Sequence, residues 1–303
     1  MTTVAHPLSH RPAVRRATAI GGTAILMWAT LALFTTMTGG IPPFQMVAMA
    51  FAVAFLVGTV FSLARGQGAF RHLKQRPVVW ALGIGGLFGY HFFYFLALRA
   101  APPVEANLLN YLWPLLIVVF SGFLPGERLR LPHALGALAG LAGTALLVTE
   151  GGLSGIKAEY LPGYLSAVAC AVTWAAYSVL SRLFGSVPTD AVGGFCLATS
   201  LLAAVCHFVF ETTVVPQGTE WLAVLLLGLG PVGAAFFVWD HGVKHGDIKA
   251  LGALSYATPL LSTFLLIVSG RAQAGLTVWI ACTLIVGGAI LASRDLMSRK
   301  DPA

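Results

Sequence analysis

Ten apolar stretches, each near the length that crosses a bilayer, run almost end to end along this 303-residue chain. They occupy approximately 18–37, 44–64, 77–98, 104–123, 132–149, 162–181, 190–210, 219–239, 250–269 and 275–293, with short connections between them. A hydrocarbon core takes roughly 20 apolar residues per helix. Apolar residues make up 57% of the chain and charged residues 10%, where an ordinary soluble domain carries about 25%. The expected fold class is therefore an all-α polytopic membrane protein with ten transmembrane helices.

An even number of crossings puts both tails on one side. Fifteen of the eighteen Lys and Arg then share that side, and only Arg99, Lys157 and Arg271 lie opposite. Basic residues resist translocation, so the N-tail (1–17) and the C-tail (295–303) are expected in the cytoplasm, with the protein in the cell inner membrane. The net charge of +7 is thus a topology signal. A nucleic-acid partner would need a clustered basic face on a folded domain, which no stretch offers. The basic connection Arg65–Arg76 is suited instead to anionic lipid headgroups. The first apolar run has full span length and no small-residue cleavage site, which predicts a retained helix rather than a signal peptide. Cys170, Cys196, Cys206 and Cys282 all fall within spans without CxxC spacing, so neither disulfide nor metal is expected, and no cofactor.

Sliding the sequence on itself by 145 residues exposes a repeat. LNYLWPLL at 109–116 lands on LSYATPLL at 254–261, aligning Tyr111 with Tyr256 and Pro114 with Pro259. In the same register Gly83 and Gly85 meet Gly228 and Gly230, Gly143 meets Gly288, and Arg99 meets Lys244. One further residue of offset brings Trp28 onto Trp174. The chain reads as a first five-helix repeat over 18–150 and a second over 160–294, forming one integral membrane domain. Five is odd, so the second copy enters upside down. Two inverted repeats are the architecture of alternating access.

With no soluble domain, a substrate site belongs among the spans. Tyr90, His91 and Tyr94 lie on one face of span 3; Asn107, Asn110, Tyr111 and Pro114 form a stripe on span 4, with Trp113 beside it. Span 6 gives Trp174, Tyr177, Ser178 and Ser181 at helical spacing. Polar groups in lipid face the bundle interior, although Ser178 and Ser181 could equally hold helices together. His91 has two readings, a neutral ring hydrogen-bonded to a neighbouring helix or a proton carrier. Trp80, Trp221 and Trp279 near span ends are expected in the headgroup belts. Pro114 and Pro259, mid-span at matching positions, each remove a backbone hydrogen bond and read as paired hinges.

Ten spans in two inverted halves, together with YHFFY of span 3, NYLWPLL of span 4 and the tryptophan of span 6, resemble the drug/metabolite transporter superfamily (EamA-type). Within it, these aromatic residues resemble the YddG-type aromatic amino-acid exporters. The resemblance covers roughly 18–294. It implies a central cavity lined by Tyr90, His91, Tyr94, Tyr111, Trp113 and Trp174. It also implies an exporter of aromatic amino acids and related small amphiphiles, with other neutral amino acids or drugs as the alternative cargo. Aromatic walls suit indole, phenol and phenyl groups, since ring pairs add about 0.5–1.5 kcal/mol beyond area burial. Asn107, Asn110 and the tyrosine hydroxyls could meet a zwitterionic head. Acidic residues are missing from mid-span positions and Lys and Arg from the spans, which disfavours proton-coupled export of organic cations and carriage of sugar phosphates. The sequence leaves the oligomeric state open, with a monomer as one expectation.

One rival comes from another class. Gly152-Leu153-Ser154-Gly155 spells GxSG and His207 follows 53 residues after Ser154, a spacing that resembles rhomboid intramembrane serine proteases. In that family the serine begins a membrane helix, whereas Ser154 precedes Ile156-Lys157-Ala158-Glu159 in an external connection. A flexible loop is the simpler reading, and no enzyme is expected.

Overall fold

The computed structural model describes residues 10–66, 73–126, 129–149, 157–268 and 275–292. Among these, all regular structure is helical. Seven helices are long and apolar enough to cross a membrane unaided: α1 (Pro12–Thr35), α2 (Pro43–Ala64), α3 (Pro77–Ala100), α4 (Pro103–Ser121), α6 (Ala158–Phe184), α7 (Ala191–Phe210) and α8 (Thr219–His245). The set of ten is completed by α5 (Leu131–Thr149), α9 (248–268, in two pieces) and α10 (Leu276–Ala292). Proline opens α2, α3 and α4, where its fixed φ suits the first helical turn and its missing N–H is no loss. At the start of α9, Asp247 caps the helix by accepting from the Lys249 and Ala250 amides, each at 3.0 Å.

The packing carries the repeat. The dominant helix pairs are α5 with α10, α2 with α7, α1 with α8 and α3 with α6, and α4 touches both α6 and α9. Adding five to each helix number of one repeat converts the α1–α8 contact into α6–α3, while α2–α7, α4–α9 and α5–α10 map onto themselves. The two five-helix halves are therefore interleaved, and among the described residues the principal partner of every helix comes from the opposite copy. Small residues set the closest approaches. A Cβ at Gly21 of α1 would lie 2.7 Å from the Cα of Gly242 of α8, and a Cβ at Gly143 of α5 would lie 2.8 Å from the Ala281 carbonyl of α10. Large apolar side chains point outward: Leu26, Val60, Phe208, Trp279 and Ile290 are all more than half exposed. Such a surface suits hydrocarbon rather than water; this is a multi-pass membrane protein.

Besides a break at Thr30 near the end of α1, four helices are irregular, in two matched pairs. A π-helical turn interrupts α3 at Gly85–Gly89 and another interrupts α8 at Gly230–Ala234, the same places in the 145-residue register. The helix α4 breaks at Tyr111 and Leu112, between Pro103–Asn110 and Trp113–Ser121, and α9 breaks at Ser255 and Tyr256, between Ile248–Leu254 and Ala257–Val268. Each break falls one turn before a proline (Pro114, Pro259), as expected from the clash of a proline ring with the preceding turn. The Leu115 amide donates instead to the Tyr256 hydroxyl at 3.1 Å, so one repeat's break is tied to the other's tyrosine.

Two sequence expectations need correction. The stripe of Asn107, Asn110, Tyr111 and Pro114 is not carried by one continuous helix, because the break falls inside it. Span 8 does not end at 239: α8 runs to His245, so Lys244, expected in a cytoplasmic connection, is 9% exposed within the bundle.

Candidate functional site

The interior where α1, α4, α6 and α8 converge is filled by tryptophan. Trp28, Trp113, Trp174 and Trp239 each contact the other three, with ring centroids 5.0–6.4 Å apart. Four of the six pairs are edge-to-face at 79–88°, the geometry in which a ring's positive edge meets a negative face. Phe236 stacks on Phe51 at 5.5 Å, and both border the cluster, Phe236 also meeting Trp174 at 5.6 Å. The Trp28 indole N–H donates to the Pro231 carbonyl at 3.1 Å, which anchors the cluster to the π-turn of α8. The Trp239 indole N–H donates to Ser178 Oγ at 3.0 Å, so Ser178 serves as a link between α6 and α8.

Beside the rings lies a polar group shared by α3 and α4. Tyr90 and Tyr94 stack nearly parallel, 6.1 Å apart at 6°. Tyr94 donates to Asn107 Oδ1 at 2.8 Å, and Asn110 Nδ2 donates to the Tyr90 hydroxyl at 3.1 Å. Asn110 Oδ1 is buried without a partner, an acceptor available to a ligand's ammonium group. Tyr90 is 5.6 Å from Trp174, which joins the polar group to the tryptophan cluster. Tyr90, Tyr94, Asn107 and Tyr111 are partly exposed, whereas Trp113, Trp174, Tyr177 and Ser178 are buried. His91 bonds through Nδ1 to the Leu87 carbonyl one turn earlier, at 2.7 Å; a carbonyl only accepts, so Nδ1 carries the proton. The remaining ring neighbours of His91 are Phe51, Tyr90, Phe95 and Phe236. Its partner is therefore its own helix, not a neighbouring one.

Tyr90, His91, Tyr94, Asn107, Asn110, Trp113, Trp174, Tyr177 and Ser178 form one contiguous interior. Tyr111 and Tyr256, alike in sequence, differ in place: Tyr256 is fully buried beneath Gly140 and bound to Leu115, while Tyr111 keeps partial exposure. Sequence reading missed Trp28, Phe236 and Trp239 as site residues. The signal was present in the repeat register, which sets Trp28 on Trp174, His91 on Phe236 and Tyr94 on Trp239. A buried charged pair was missed as well. Asp240 lies 2.8 Å from Lys244 inside the bundle, which corrects the expectation that the spans hold no such charge.

Of the terminal tryptophans, Trp221 and Trp279 are 53% and 66% exposed, but Trp80 turns inward, edge-on to Phe195 at 5.6 Å. His207, the protease candidate, has both ring nitrogens engaged, Nδ1 with Glu211 at 3.0 Å and Nε2 with Thr213 at 2.9 Å. Ser154 lies outside the described residues.

Known proteins share the two-repeat plan of this chain. The EamA-like transporter family matches residues 18–149 and again 161–294. The chain is 58% identical over 285 residues to the aromatic amino acid exporter YddG of Ancylobacter novellus, covering 94% of this chain and 98% of that protein. It is 26% identical over 291 residues to the aromatic amino acid exporter YddG of Escherichia coli K12, covering 91% and 96%. A solved crystal structure with 58% sequence identity superposes with a TM-score of 0.89 over 94% of this chain and 99% of that one. The Ancylobacter novellus and Escherichia coli relatives are named as exporters. The chain belongs to the EamA-like transporter family.

Proposed function

We propose that this protein exports aromatic amino acids, and small amphiphiles like them, across the inner membrane by alternating access. The observation that carries the reading is the four-tryptophan cluster: rings from both repeats meet at one place, beside the tyrosine–asparagine group of α3 and α4. A phenyl or indole side chain exchanges into such a cluster at little cost, since each ring–ring contact it breaks is replaced by one it makes. The zwitterionic head finds the unpaired Asn110 oxygen and the Tyr90 and Tyr94 hydroxyls. The relatives named as aromatic amino acid exporters support the same substrate class. The asymmetry of basic residues supports cytoplasmic tails. All four tryptophans come from one chain, which supports a monomeric carrier.

Motion has its place in the matched irregularities. The π-turns of α3 and α8 and the breaks of α4 and α9 lie at corresponding points of the two repeats, so exchanging the two shapes would swap which side is open. Pro114 and Pro259 are the hinges in this reading. Transport in proteoliposomes tests it. Labelled Phe or Trp should exchange by counterflow, and Trp174→Ala should lower kcat/KM about tenfold or more without unfolding the bundle. Folded protein that moves neutral aliphatic amino acids or drugs but not Phe or Trp would overturn the substrate assignment. The same assay with and without a pH gradient shows whether export is coupled to protons.

A further inference from the structure

At the end of the bundle where α3 begins and α8 ends, a narrow cleft is lined by Leu82, Tyr177, Ser181, Phe195, Asp240 and Lys244, among others. Charge inside a membrane protein is costly and marks function by default. Here both charges are deep: Asp240 is 1% exposed and Lys244 9%. They sit one turn apart on α8, with Lys244 Nζ 2.8 Å from Asp240 Oδ2. Beside them Tyr177 is 2% exposed, its hydroxyl within reach of Ser181. The Tyr177 ring also stands 5.3 Å from Trp174, so this cleft adjoins the tryptophan cluster.

The connection between α6 and α7 supplies the other partners of the pair. Lys244 Nζ donates to the Val187 carbonyl at 3.0 Å, and Thr189 Oγ1 donates to Asp240 Oδ2 at 2.8 Å. Lys244 thus holds a neutral acceptor, and Asp240 a neutral donor, from one short segment. A free α-amino acid presents the same two functions on a single carbon, with full charge: a carboxylate that accepts and an ammonium that donates. Each of those bonds already has one ionised partner; the ligand would supply the second, adding the attraction of opposite unit charges to the hydrogen bond. We infer that the Asp240–Lys244 pair is a second binding site for the zwitterionic head of a free α-amino acid, held shut in this conformation by Val187 and Thr189. On opening at this end the carboxylate would replace the Val187 carbonyl on Lys244, the ammonium would replace the Thr189 hydroxyl on Asp240, and the side chain would face Tyr177 and the tryptophans beyond. This inference rests on the amino-acid substrate proposed above. It adds a loading site that the uncharged polar group at Tyr90 and Asn110 does not supply.

Competition in the counterflow assay tests it, with Phe, phenethylamine (no carboxylate) and 3-phenylpropanoate (no ammonium) as competitors. In Lys244→Met, Phe should weaken about tenfold, the loss of one charge-assisted bond, while phenethylamine changes by less than about twofold. In Asp240→Asn the spared competitor should be 3-phenylpropanoate. Thr189→Val leaves both charges paired and removes only the rival donor, so Phe should bind several-fold more tightly from this side. That variant keeps the test open if a lone buried charge prevents folding. A common shift of all three competitors in the charge variants would show a merely structural pair and overturn the inference, as would unchanged or weaker Phe binding in Thr189→Val. Wild-type protein indifferent to Phe would instead overturn the substrate reading, and this inference with it.

Discussion

At the scale of single residues, the account turns on what each side chain loses when altered. Trp28 and Trp174 occupy equivalent places in the two repeats and both meet Trp113 and Trp239. Trp28→Ala should therefore impair Phe transport to within about threefold of Trp174→Ala, as measured by counterflow. Tyr90→Phe keeps the ring and removes the acceptor of Asn110, whose oxygen already lacks a partner. A buried amide stranded in this way costs about 1–3 kcal/mol, which a lower Tm in detergent would report. Gly21→Ala places a methyl 2.7 Å from the Gly242 Cα, and with backbone on the far side neither helix has a flexible atom to move. Overpacking of this kind costs about 1–3 kcal/mol; an unchanged Tm would show that α1 and α8 are free to separate.

At the scale of elements, the matched breaks set the expectation. Restoring a donor at both sites, in Pro114→Ala with Pro259→Ala, should slow counterflow several-fold while leaving the KM for Phe within about twofold. A changed KM with an unchanged rate would place the prolines in the binding surface instead. This scale also shows what a sequence can and cannot disclose. Proline and glycine at a constant register announced the repeat, because those residues act through the backbone wherever they stand. The π-turns at Gly85–Gly89 and Gly230–Ala234 were not readable, since a helix with one extra residue in a turn keeps nearly the same apolar pattern. Helix ends were equally opaque. The run from Asp240 to His245 looks like a loop by polarity, and the Asp240–Lys244 ion pair together with the partners offered by Val187 and Thr189 makes the burial of its two charges tolerable. The aromatic half of the site was legible from stripes on spans 3, 4 and 6, but Trp239 and Phe236 needed the repeat to be applied to the site as well as to the scaffold.

At the scale of the whole molecule, the claim is that two interleaved, inverted halves enclose one interior that opens to each side in turn. Side-specific labelling tests it most directly. With the four native cysteines replaced, Asn107→Cys would report from the end where α4 begins and Ser181→Cys from the end where α6 finishes. The account expects an impermeant thiol reagent to reach Asn107→Cys only from outside the cell and Ser181→Cys only from the cytoplasm, with Phe changing the two rates in opposite directions. Labelling of both positions from the same face, or rates that ignore Phe, would contradict it.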